Sequence, residues 1–137
     1  MSRAKELLSR YRAGEREFSN ADLSGITLVD FDLSDVDLRR ANLTGANLTR
    51  VTLRHANLEG ANLNQAKLTE VDLTDATLTG ADLSEADLGN ANLTRAKLIT
   101  ANLTHANVSD ANLTDANLFL ANLTGTHLGD EAVIPPH

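Results

Sequence analysis

From Ala21 to Asp130 the chain repeats one five-residue pattern of apolar and polar positions 22 times without an insertion. The unit Ala41-Asn42-Leu43-Thr44-Gly45 is typical. The central position is Leu in 21 units, with Val108 in the remaining one. Two residues before it stands Ala in 16 units, and otherwise Ile26, Phe31, Val36, Val51, Val71 or Thr126. Asn or Asp separates the two in 16 units, and Ser or Thr follows the centre in 13. Arg16-Glu17-Phe18-Ser19-Asn20 reads as a degenerate first unit with Phe18 at its centre.

A period of five suits neither regular element. On an α-helix successive leucines would stand ~140° apart and spiral around every side. On a flat strand an odd period sends successive leucines to opposite faces. All can share one interior only if the chain turns a corner once per unit, and Asn, Asp, Ser, Thr and Gly are the residues that make turns. The pattern therefore predicts a solenoid. The central Leu and the residue two before it point inward, and the other three positions face water.

Charges indicate how many units make one coil, because residues one coil apart become neighbours ~4.8 Å apart along the stack. A spacing of 20 gives six opposite-charge pairs: Asp30/Arg50, Arg50/Glu70, Arg39/Glu59, Lys67/Asp87, Asp75/Arg95 and Arg95/Asp115. It gives two like pairs, Glu17/Asp37 and Asp110/Asp130, whereas a spacing of 15 gives four opposite and six like pairs. Four units per coil is favoured.

The run of Ala-Asn/Asp-Leu-Ser/Thr-x units resembles the pentapeptide-repeat family over about four fifths of the chain. The resemblance implies an all-β solenoid, a right-handed quadrilateral β-helix with four units per coil. Right-handed winding also follows the bias of parallel crossover connections. At the strand spacing, 22 units would make a rod ~26 Å tall. The chain then divides into a capping helix at 1–15, the β-helix at 16–130 and a tail at 131–137.

Solenoid ends need caps. Ala4, Leu7, Leu8 and Tyr11 fall at helical spacing and Gly14 supplies a stop, so Ser2 to Ala13 is expected to form a short amphipathic helix over the first coil. At the far end Val133 and Ile134 are expected to fold back over the last coil, before Pro135 and Pro136 prevent continuation.

Composition narrows the function classes. The net charge of -7 argues against nucleic acid or an anionic membrane as a direct partner. The absence of cysteine excludes disulfides, thiol catalysis and Cys-ligated zinc. No stretch is long and apolar enough to span a membrane, and the start lacks a signal-peptide core, which points to the cytoplasm.

Candidate chemistry is sparse. His55, His105, His127 and His137 lack zinc-ligand spacing, and neither a metal nor a cofactor is expected. His55 falls between Asp35 and Asp75 in one column, which reads as a solvated surface ladder. Carboxylates are plentiful, but acid/base catalysis needs a concave, partly desolvated site that flat outer faces do not offer. The Asn-Leu-Thr sequons, for instance at Asn42, Asn92 and Asn112, are by-products of the repeat.

One surface stands out. The outward pairs on every fourth unit are Arg39-Arg40, Glu59-Gly60, Thr79-Gly80, Ile99-Thr100 and Phe119-Leu120. Outward apolar residues are otherwise nearly absent, Val29 being the other case. Ile99, Phe119 and Leu120 are thus the candidate interaction patch, for a homodimer or another protein partner, unless the tail covers it. The chain reads as a non-enzymatic scaffold or protein-interaction module. The alternative is a DNA mimic acting on a type II topoisomerase, as the gyrase-protecting members of the resembled family do.

Overall fold

The computed structural model describes residues 2–129 and Pro135. Its backbone is a stack of coils in which each unit makes a parallel bridge to the unit 20 residues on: Asp32 to Thr52, Thr52 to Asp72, Asp72 to Asn92. Four units therefore complete one coil, as the charge spacing predicts. The β character lies in single bridging residues, one per unit, rather than in extended strands.

The unit Val71–Asp75 shows why the pattern works. The Val71 N–H closes the preceding turn on Leu68 O at 3.1 Å. The Asp72 N–H reaches Val51 O on one neighbouring coil at 3.0 Å. Leu73 and Asp75 donate to Asn92 O and Thr94 O on the other, at 2.7 and 3.0 Å. The remaining N–H, of Thr74, donates to the side-chain Oδ1 of Asp72 at 3.0 Å, and the Thr74 hydroxyl reaches the same oxygen at 2.5 Å. All five backbone donors are satisfied, the requirement for chain packed against chain.

That geometry corrects the expectation that the second and fourth positions merely face water. Asn and Asp recur at the second position because a short carboxyl or amide there caps the N–H two residues on, an Asx turn. The fourth position is often half-covered, and Thr49, Thr74 and Gly89 are buried.

Each unit ends at a corner, where, except between Leu28 and Phe31, the central residue's carbonyl accepts from the residue three on, as Leu73 O does from Ala76 N at 3.0 Å. The residue before that donor has positive φ at every corner from Asn20 to Gly125, the arrangement of a type II turn. Seventeen of these corner residues are not glycine.

Central leucines and their alanine partners form one continuous core, with Leu58, Leu73, Leu78 and Leu83 wholly inaccessible. Helix α1, Arg3–Arg12, lies over the first coil, one residue shorter at each end than expected because Ser2 and Ala13 serve as its caps. Leu7 and Leu8 are buried with Phe18 and Leu23 in the core, and the Tyr11 hydroxyl donates to Ser34 O at 2.7 Å. At the other end the core is less covered, with Leu113, Leu123 and Leu128 only partly buried. The expected fold-back of Val133 and Ile134 lies outside the described residues.

Three of the six expected charge pairs are in contact. Arg50 bonds Asp30 at 2.6 Å and approaches Glu70 at 3.9 Å, and Arg95 bonds Asp75. Arg39 instead grips Asp37 of its own unit at 2.8 Å rather than Glu59. Arg95 turns its fork to Asp75 rather than Asp115. Asp87 is taken up by Gly89 N–H and Asn107 Nδ2 rather than by Lys67.

Candidate interaction surface

Four units per coil give the rod four faces, followed here by their central residues. The first runs from Leu23 through Leu43, the second from Leu28 through Leu48, the third from Leu33 through Leu53, and the fourth from Phe18 through Leu38 to Leu118.

The first three faces are acidic. The first carries Asp22, Asp82 and Glu85 with no Lys or Arg. On the second, Asp30, Glu70, Asp87 and Asp110 outnumber Arg50 and Lys67 among the described residues. On the third, Asp32, Asp35, Asp72, Asp75 and Asp115 outnumber Arg54 and Arg95. The fourth face differs in sign, with Arg16, Arg39, Arg40 and Lys97 against Glu17, Asp37 and Glu59.

The carboxylates with perturbed acidity are all held more acidic than usual. The Ser24 and Ser34 hydroxyls and backbone N–H groups lower Asp22 and Asp32, and the arginine forks of Arg50, Arg39 and Arg95 lower Asp30, Asp37 and Asp75. At Asp72 burial opposes ionisation, but hydrogen bonds from Thr74 and Arg54 outweigh it. Hydrogen bonding to the ionised form, not a desolvated pocket, is the common cause. Among the described residues no group of His, Asp and Glu is arranged to hold a metal ion, and no helix is long and apolar enough to cross a membrane. His55 and His105 lie on opposite faces, the third and the first.

The three patch residues meet on the fourth face. Phe119 and Leu120 are 52% and 69% exposed, and Ile99, one coil away, is partly exposed. The coils are joined there by Thr100 N–H to Phe119 O at 2.9 Å, and Asn117 Oδ1 accepts the Phe119 N–H at 3.0 Å. The corner column of this face reads Asn20, Arg40, Gly60, Gly80, Thr100, Leu120. Thr100 and Leu120 both hold φ of 58°, a backbone region unfavourable to β-branched and bulky residues.

Sequence reasoning passed over Lys97 and Arg40 as companions of the patch. The signal was present as the sign of the column charges. Arg40 crosses the face beside Gly60, where an added Cβ would stand 3.3 Å from its Cγ. Its Nε donates to Asn20 Oδ1 at 3.2 Å, and neither Arg40 nor Lys97 is ion-paired among the described residues.

This architecture has solved relatives. A pentapeptide repeat protein, Rfr23, from the cyanobacterium Cyanothece 51142 superposes with a TM-score of 0.85 at 33% identity, covering 92% of this chain and 99% of that one. A trypsin-treated form of QnrB1, a plasmid-mediated fluoroquinolone resistance protein, aligns with a TM-score of 0.55 at 21% identity over 81% of this chain and 79% of its own, a likeness of fold alone. No curated protein sequence matches the chain. The Pentapeptide repeats family matches in eight copies between residues 17 and 130, over the same units whose leucines fill the core and whose corners stack every 20 residues. By that match and that architecture the chain belongs to the pentapeptide-repeat family.

Proposed function

We propose that the chain is a non-enzymatic protein-interaction scaffold, a right-handed four-sided rod working in the cytoplasm, whose fourth face is its contact surface. The observation that carries this reading is the contrast between faces. Asx turns cap backbone donors on all four faces, as at Asn102, Asn107, Asp72 and Asp37, but among the described residues the exposed large apolar side chains, Phe119 and Leu120, lie on the fourth alone. Exposed apolar clusters on a soluble surface mark contact sites. The carboxylates with perturbed acidity are all shifted down, the opposite of what a general acid at neutral pH requires.

The test is affinity capture with the purified chain and with Ile99→Thr/Phe119→Thr/Leu120→Asp. The reading expects a defined protein retained by the wild type and lost from the triple variant. It fails if no protein is retained specifically.

The acidity of the first three faces supports a second reading, a DNA-mimicking binder of a type II topoisomerase such as gyrase. The likeness to QnrB1 adds only the shared fold. Inhibition of supercoiling at low micromolar protein, abolished when Asp72, Asp75 and Asp115 are changed to Asn, would establish this reading over the first.

A further inference from the structure

We infer that the fourth face binds an extended, acidic segment of a partner protein, with hydrophobic side chains seated on Phe119 and Leu120 and carboxylates on Lys97 and Arg40. This rests on the scaffold reading and specifies the chemistry of its partner. Leu120 is the first support. It is 69% exposed and occupies left-handed backbone at φ 58°, a conformation glycine adopts freely and leucine does not. Gly60 and Gly80 occupy the same corner lower down the rod, at φ 67° and 69°. Arg40 and Thr100 hold the same corner at φ 57° and 58°, so left-handed backbone is general to these corners. What sets Leu120 apart is that the other sixteen non-glycine corner residues are all polar or charged, whereas it leaves a large apolar side chain exposed.

Charge gives the second support. The fourth face is net positive on an otherwise acidic rod, and Lys97 and Arg40 have no carboxylate partner among the described residues. A complementary surface is therefore negative. A second copy fits poorly: it would set one net-positive fourth face against another, and two exposed apolar side chains fall far short of the ~800 Å² per partner of a stable interface. A short segment needs only one anchoring cluster and a few charges.

Spacing then fixes the motif. Coils stack ~4.8 Å apart and an extended chain advances ~3.3 Å per residue. Lys97 lies one coil from Phe119, and Arg40 lies four coils from Leu120, ~19 Å down the rod. A segment running along the face thus places a hydrophobic pair at one end, one carboxylate one or two residues away and another about six residues away.

The experiment uses fluorescein-labelled Phe-Leu-Asp-Ser-Gly-Ser-Glu and its reversed sequence with the full chain, read by anisotropy. Controls replace Asp and Glu by Lys, or Phe-Leu by Ser-Ser. One acidic probe is expected to bind with Kd of about 10–100 μM, weakened at least tenfold by Leu120→Asp and by Lys97→Glu and unchanged by Arg54→Gln on the third face. Neither control should bind. The inference is overturned if both acidic probes fail to bind at about 1 mM, if the Lys probe binds equally, or if Arg54→Gln weakens binding as much as Leu120→Asp. A native partner still captured by Lys97→Glu/Leu120→Asp overturns it while leaving the scaffold reading in place. So does dimerisation in light scattering that Leu120→Asp abolishes, which assigns the face to a second copy.

Discussion

Arg95 reaches one coil along the rod to Asp75, its Nε donating to Oδ1 at 2.8 Å and an Nη to Oδ2 at 3.0 Å. Arg50 treats Asp30 the same way on the second face, at 2.6 and 3.2 Å. Two parallel donors hold a carboxylate in its ionised form, so the arginine fork draws the Asp75 carboxyl below its ordinary acidity, with smaller help from the charges of His55 and Arg54.

Acid should therefore weaken the rod. Asp22, Asp30, Asp32, Asp37, Asp72 and Asp75 all protonate less readily in the folded chain. A carboxyl depressed below its unfolded value of ~3.9 contributes stability that is complete above that pH and lost as pH falls through the folded value. Thermal melts should be flat in this contribution above about pH 5 and decline below about pH 4. Asp75→Asn should melt below wild type at neutral pH, with the gap closing as the pH falls through the folded value of Asp75 and its side chain becomes neutral. A gap that stays constant with pH would show that the fork adds nothing through charge.

Leu73 has no accessible surface and stands mid-rod between the coils of Leu53 and Leu93. Leu73→Ala should cost about 2–5 kcal/mol in urea unfolding, since a narrow stacked interior cannot collapse around the void. Leu73→Asp buries a carboxylate with no partner and should abolish cooperative β structure. A Leu73→Asp chain melting within a few degrees of wild type would contradict the inward assignment.

The helix cap is the next point of weakness. Leu7 is 4% exposed and, with Leu8, closes the first coil. Leu7→Asp should undock α1, remove about 1.5–3 kcal/mol of burial, and speed amide exchange across residues 3–12 and around Phe18. Tyr11→Phe, which deletes only the bond to Ser34 O, should cost about 1 kcal/mol. Unchanged exchange in the Leu7 variant would mean that the helix is held from elsewhere.

Leu120→Gly separates stability from binding. Relief of the left-handed leucine should raise the unfolding free energy by about 1 kcal/mol, with little apolar burial lost. Partner capture should fall in the same variant. A drop in stability would instead place Leu120 in the structural cap of the last coil.

Much of this was legible because the unit is local and repeated. Apolar residues at the first and third positions, with turn formers around them, leave one solution: leucines inward and a corner after each. Periodic charges then supplied the coil length, and the bridges from Asp32 to Thr52 to Asp72 carry it. The sequence alone also marked Ile99, Phe119 and Leu120, because an apolar residue at an outward position breaks a strict pattern. Tertiary structure decided what long or short polar side chains touch. Arg39 had Glu59 one coil away and Asp37 in its own unit, and it grips Asp37. Asp72 looked like a solvent-facing residue, yet its Oδ1 satisfies Thr74 while Arg54 holds its other oxygen at 2.7 Å. A side chain with several partners in reach selects one by three-dimensional distance and by which donors the backbone leaves unmet, and a linear pattern encodes neither.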